Sequence, residues 1–193
     1  DDYFYPYPIN DVDGKKVPFP DDPSWQRRDE SQKLLSRDDW RRANVDHLIE
    51  QIYTRVKQSK RWVQVGISPF GIWRPGHPDS IKGFDAYAEL YADAKKWQQA
   101  GWVDYLTPQL YWKIDSEGQS YPKLLQWWHE QNVKGRHLWP GNYASRLGFG
   151  NDGRWDKQEL LDQIRLTREH PGATGNVHFS MKTFLLDYDE VNE

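Results

Sequence analysis

The sequence predicts an α/β fold of parallel βα units, a (β/α) barrel of TIM type that is only partial, as one domain over residues 1–193. Three observations lead there. Short runs rich in β-branched and aromatic residues alternate with amphipathic helical runs of roughly 11 or more residues, the pattern of βαβ units in a parallel sheet. The chain has 193 residues, whereas a complete eight-fold barrel takes about 250. The competing fold, a doubly wound sheet, usually shows a Gly-rich phosphate loop after a strand, and none occurs here.

The elements follow in order. A strand stub is expected at residues 1–5, then a long loop. Ser36 and Asp39 form an S-x-x-D start signal for a helix over 38–59, with Val45, Leu48, Ile49, Ile52 and Val56 on one face. The run 62–68 reads as a strand, and Pro69, Gly71, Pro75 and Gly76 break it into a loop. A second helix is expected from Phe84 to Ala100, ended by Gly101. The next strand is 104–111, with Pro108 predicting a broken or bulged ladder near its C-terminal end. A helix from Ser120 to Gln131 carries Pro122 in its first turn. A strand at 136–139, a helix opening with Asp156-x-x-Glu159 and a strand at 176–181 complete the series.

Composition excludes several classes. The net charge is −3 and basic residues are scattered, so the basic stripe of a nucleic-acid binder is missing. No apolar run of about 18 residues suggests a membrane span, and no signal peptide is visible. Without cysteine there are no disulfides or thiolate sites. The six histidines lack metal-ligand spacing, so no metal and no cofactor are expected. A G-x-S-x-G nucleophile elbow is absent.

What remains is an unusual pairing. The chain has 11 Trp, 11 Tyr and 7 Phe, yet its mean hydropathy is −0.98. Many rings should therefore line a surface or a cleft rather than a core, although aromatics also dominate ordinary cores. Sugars, flat and apolar on one face and rich in hydroxyls, suit such rings. In parallel barrels the site lies at the C-terminal ends of the strands. Each expected strand here runs into rings beside polar side chains: Asp1-Asp2-Tyr3-Phe4-Tyr5, Ser68 to Arg74, Pro108 to Trp112, Trp139 to Tyr143, and His178 to Lys182. The substrate-binding set expected from them is Tyr3, Tyr5, Trp73, Arg74, Gln109, Tyr111, Trp112, Trp139, Asn142, Tyr143 and Ser180. Within it Gln109, Tyr111, Asn142 and Arg74 would orient hydroxyls, while Trp73, Trp112, Trp139 and Tyr143 would stack on sugar faces.

Glycoside cleavage generally takes two carboxylates, about 5–5.5 Å apart for retention or 6.5–9.5 Å for inversion. Asp1 and Asp2 are the catalytic candidates. Adjacent residues on a strand point to opposite faces, so only one of them can face the barrel axis. The partner is open. Asp104 starts its strand and reads as a structural cap, Asp115 and Glu117 fall in a turn within reach of the cleft, and Asp11, Asp13, Asp21 and Asp22 lie in the long first loop. A non-catalytic carbohydrate-binding barrel is the alternative, and a half-barrel serving assembly is a third.

At these strand ends the sequence resembles glycosyl-hydrolase-like family 10, bacterial TIM-barrel proteins. The matching segments are DDYFYPYP at 1–8, DDWRRANVDHLI at 38–49, VGISPFGIWRPG at 65–76, FDAYAELYADAKKWQQAGWVDYLTPQLYW at 84–112, LLQWWHEQNVKGRHLWPGNYA at 124–144 and GNVHFSMK at 175–182. The resemblance implies a glycoside hydrolase of the cell envelope or a secreted one, periplasmic or a surface lipoprotein. Its leading substrate would be peptidoglycan polysaccharide. It also implies that the DDY segment ends the fourth barrel strand, that this chain holds about strands 4–8, and that the N-terminal half of the barrel is a missing partner.

Overall fold

The computed structural model describes residues 1, 4–148 and 153–191. It is an α/β arrangement in which every pair of named strands is parallel. In chain order the elements are α1 (Asp22–Gln26), α2 (Arg37–Ser59), β1 (Gly66–Ile67), α3 (Ala86–Glu89), α4 (Ala94–Ala100), β2 (Tyr105–Leu106), α5 (Tyr121–Gln131), β3 (His137–Leu138), β4 (Gly141–Asn142), α6 (Lys157–Glu169), β5 (Val177–His178) and α7 (Met181–Leu185). Short 3₁₀ turns lie at Glu30–Gln32, Ala144–Gly148 and Tyr188–Glu190.

The helices start and stop where their caps direct. Ser36 accepts a hydrogen bond from the Asp39 N–H at the start of α2, and Asp156 accepts one from Gln158 at the start of α6. Gly101 closes α4 in the left-handed conformation. The helix expected over 84–100 is two helices. Tyr91 takes a positive φ of 55° between them, and Asp85 and Asp93 cap α3 and α4 separately.

The strands are shorter than the sequence suggests. Two small parallel sheets form, of order β1-β2-β3 and β4-β5. Two isolated parallel bridges continue the same register beyond the first sheet, Phe70 to Gln109 and, reaching β4, Gln109 to Gly141. Gly66 pairs with Tyr105 and Tyr105 with His137, so Pro69, Pro108 and Pro140 fall in one row across three adjacent segments. None has an N–H to give, and each leaves one rung unmade. The ladder resumes just beyond, where Gln109 donates to the Pro69 carbonyl and Gly141 to the Pro108 carbonyl. The expected strand at 1–5 is not formed among the described residues: Phe4 and Tyr5 lie in a turn and a bend.

Alternation along the strands gives the sheets two unlike faces. Ile67, Leu106 and Leu138 point to the helices and pack with Val45, Ile49, Trp97, Leu124 and Trp128 in the main core. The opposite face carries Tyr105, Trp139 and His137 as a stack, with centroids 4.5 Å and 5.3 Å apart. Here His137, Val177 and Phe179 are exposed.

Away from the sheets, Asp21 anchors the first loop to α2. Its buried carboxylate pairs with Arg41 at 2.7 Å and with Arg37. Hydrogen bonds from Arg41 hold its pKa down to about 2 against the opposing effect of burial. Asp104 accepts from the Val65 N–H at 2.8 Å and pairs with Lys57, at the start of its strand. Burial there pushes the carboxyl up, but these partners win and the net direction is down.

Candidate active site

The C-terminal ends of β1 and β2 meet at Gln109. Its Nε2 donates to the Ser68 carbonyl at 2.9 Å and to Asp1 Oδ1 at 2.8 Å. An exposed carboxylate is thereby held over two neighbouring strand ends. The backbone at this point is tightly packed: a Cβ on Gly71 would collide with the Gln109 carbonyl and the Trp112 ring. Phe70 meets Trp112 edge-on at 5.5 Å. On the other side Tyr111 lies 4.8 Å from Tyr143 and 5.8 Å from Phe179. Ser180 follows, with its Oγ 3.4 Å from Ser145 Oγ.

Asp1, Gln109, Tyr111, Trp112, Tyr143 and Ser180 are thus found at or next to strand ends. Asp2 and Tyr3 lie outside the described residues. The other candidates are placed elsewhere. Trp73 donates from Nε1 to Asp93 at 2.9 Å and stacks on Trp127 at 5.8 Å. Arg74 bonds Asp85 at 3.2 Å and lies over the Tyr87 ring. Both side chains are therefore engaged with the α3–α4 layer. Tyr5 packs edge-on to Phe19 and Tyr91 and lines a separate apolar groove of about 450 Å³ with Tyr7 and Phe19. Burial pushes its phenol pKa up, helped by Asp21. Trp139 sits on the open sheet face, with Nε1 bonded to Thr174 at 2.8 Å.

Asn142 differs most from its expected role. It is fully buried. Its Nδ2 donates to Tyr121 Oη at 3.1 Å and Gln163 Oε1 at 2.9 Å, and its Oδ1 accepts from Asn176 at 2.8 Å. A buried amide must find partners inside the protein, and the side chain has no surface left to offer a ligand. By alternation, residue 142 points to the helices when 141 does not.

Two further carboxylates enter the picture: Asp93, which sequence order does not single out, and Asp115, already a candidate partner by its place after the second strand. Asp93 touches the Trp73 indole, and burial raises its pKa. The sequence hides it inside the helix expected over 84–100, whereas the structure makes it the cap of α4. Asp115 lies in a pocket with Tyr111, Trp112 and Trp155. Among the described residues, no three or more His, Asp or Glu side chains group as metal ligands would. No helix there is long and apolar enough to cross a membrane.

Comparison with known proteins gives the family. The family described as Glycosyl hydrolase-like 10 matches residues 1–157. Glycosyl hydrolase YngK of Bacillus subtilis (strain 168) is 38% identical over 190 residues, covering 94% of this chain and 36% of that protein. Glycosyl hydrolase DigH of Escherichia coli (strain K12) is 37% identical over 99 residues, covering 49% of this chain and 23% of its own length. The chain thus spans about a third or less of the curated relatives it matches. It belongs to the glycosyl hydrolase-like 10 family.

Proposed function

We propose that this chain is the C-terminal half of a (β/α)₈ glycoside hydrolase that cleaves O-glycosyl bonds in a glycan, with bacterial cell-wall peptidoglycan the leading substrate. Asp1, or its neighbour Asp2, acts as general acid or nucleophile. Gln109 orients that carboxylate and substrate hydroxyls, while Trp112, Tyr111 and Tyr143 offer faces to sugar rings. The observation that supports this most is the Asp1–Gln109–Ser68 contact: it sets a carboxylate where parallel α/β barrels carry their chemistry, with Phe70 and Trp112 packed close by.

The N-terminal half of the barrel is the natural partner. The sheet face away from the helices is open, and both flanks are apolar. Leu48, Ile52, Trp62 and Val63 are exposed on the β1 side, and Val177, Phe179, Met181, Leu185 and Leu186 on the β5 side. Patches of this kind mark surfaces that something covers. One body running from β5 back to β1 would cover all three and abolish the sheet edges. A second catalytic carboxylate can come from that half. A cell-envelope or secreted location fits a cell-wall substrate.

The test is to replace Asp1 and Asp2 by Asn in the full-length protein and digest purified glycan strands. Cleavage should be lost while glycan binding persists. Unchanged turnover would remove both from the mechanism. Binding without cleavage by the unaltered protein would favour a non-catalytic carbohydrate-binding barrel.

A further inference from the structure

The segment Tyr111–Ser116 leaves the end of β2 and is held from behind by a partly buried relay. Glu159 Oε1 accepts from the Ile114 N–H at 2.8 Å and from Gln163 Nε2 at 2.8 Å. The same Gln163 amide donates to the Trp112 carbonyl at 3.1 Å. Gln163 is fully buried, and its oxygen accepts from Asn142. Two adjacent turns of α6 thus grip the backbone at 112 and at 114. With the fully buried Gln163 amide bonded to the Trp112 carbonyl and the half-buried Glu159 bonded to the Ile114 N–H, breaking the grip would leave buried polar groups unpaired, so the loop is held behind its exposed side.

That exposed side is a pocket of about 310 Å³. Tyr111, Trp112 and Trp155 supply rings to its lining, and Lys113, Asp115 and Arg146 supply charge. Its Tyr111 wall continues through Tyr143 to Phe179. Rings beside a carboxylate and a guanidinium are what a sugar unit needs: an apolar face to stack on and acceptors and donors for its hydroxyls.

We infer that this pocket is a sugar-binding subsite, with Asp115 as a hydroxyl-binding contact and Glu159 and Gln163 as positioning residues for its Trp112 wall. The inference rests on the glycan reading above and extends it to residues outside the strand ends.

The experiment measures oligosaccharide binding to the full-length protein by calorimetry, using glycan fragments from a cell-wall digest. Thermal unfolding and hydrogen exchange at the Ile114 amide are followed alongside. Asp115→Ala lies on an exposed side chain and should weaken binding about tenfold with no change in melting temperature. Glu159→Leu should release the Ile114 amide to fast exchange and weaken binding by a similar factor. Glu159→Gln keeps the acceptor oxygen and should restore both. Wild-type affinity in Asp115→Ala and Glu159→Leu, in a protein that does bind the fragments, would overturn the subsite and leave the glycan reading standing. If Glu159→Leu does not fold, Asp115→Ala decides alone. No binding by the unaltered protein would overturn the glycan reading and the subsite with it.

Discussion

The two faces of the sheets are built differently. On the helix side Leu106, Leu138, Trp97, Leu124 and Trp128 are wholly buried, and the amides of two buried polar residues there, Asn142 and Gln163, are bonded within the protein. On the other side Tyr105, Trp139 and His137 stack on one another and leave His137 and Phe179 exposed. The helix side is closely packed in this chain. On the function proposed above, the open side and the strand ends above it are where the missing half of the barrel and the glycan would bind.

That contrast can be broken by mutation. Leu106→Ala removes a wholly buried side chain from the helix side and should cost about 2–5 kcal/mol. Phe179→Ala, on an exposed ring, should change the stability of the same chain by less than about 1 kcal/mol. Urea unfolding of both variants measures the difference. Equal losses would mean that the open face is as settled as the closed one.

Acid sharpens the comparison at the first loop. The Asp21 pKa is lowered from 3.8 to about 2, so its pairing with Arg41 and Arg37 stabilises the fold above pH 4. That contribution, about 2 kcal/mol by the usual linkage, is lost as pH falls toward 2. Asp21→Asn should lower stability at neutral pH and flatten this part of the pH profile. A profile unchanged by the substitution would show that the ion pairs contribute nothing.

A smaller effect belongs to His178. Burial lowers its pKa from 6.5. Its neutral form is favoured in the fold, so stability is full above pH 6.5 and declines as pH falls below that value through the lowered one. His178→Gln should remove a modest slope in melting temperature between pH 7 and 5. A slope that persists would assign it to another group, His170 being the next candidate, since burial and then the nearby His129 lower its pKa as well.

Much of this architecture is legible in the sequence, and the failures have physical causes. Helix ends are local events. Ser36, Gly101, Pro122 and Asp156 each declare one through their own side chain or backbone. Strand length is not local. Pro108 alone foretells a broken ladder, but the break across three segments depends on register, which sets Pro69 and Pro140 beside it. The split between α3 and α4 turns on the positive φ of Tyr91, a residue whose helical spacing hides it. At the candidate site, position after a strand foretells that Gln109, Trp112 and Tyr143 lie at or beside strand ends. It could not show that Trp73 and Arg74 would be engaged by Asp93 and Asp85, because those partners belong to the next helices. Nor could it reveal that the segment after β2 is gripped by Glu159 and Gln163, some 45 and 51 residues further on.

The account turns on where a sugar lies. Crystals of the full-length protein grown with a cell-wall oligosaccharide would locate it directly. The strand-end reading predicts sugar density in contact with Gln109, Trp112 and the Asp1 carboxylate. Density seated instead against Trp73 and Trp127 on the helix layer, with the strand ends empty, would contradict it.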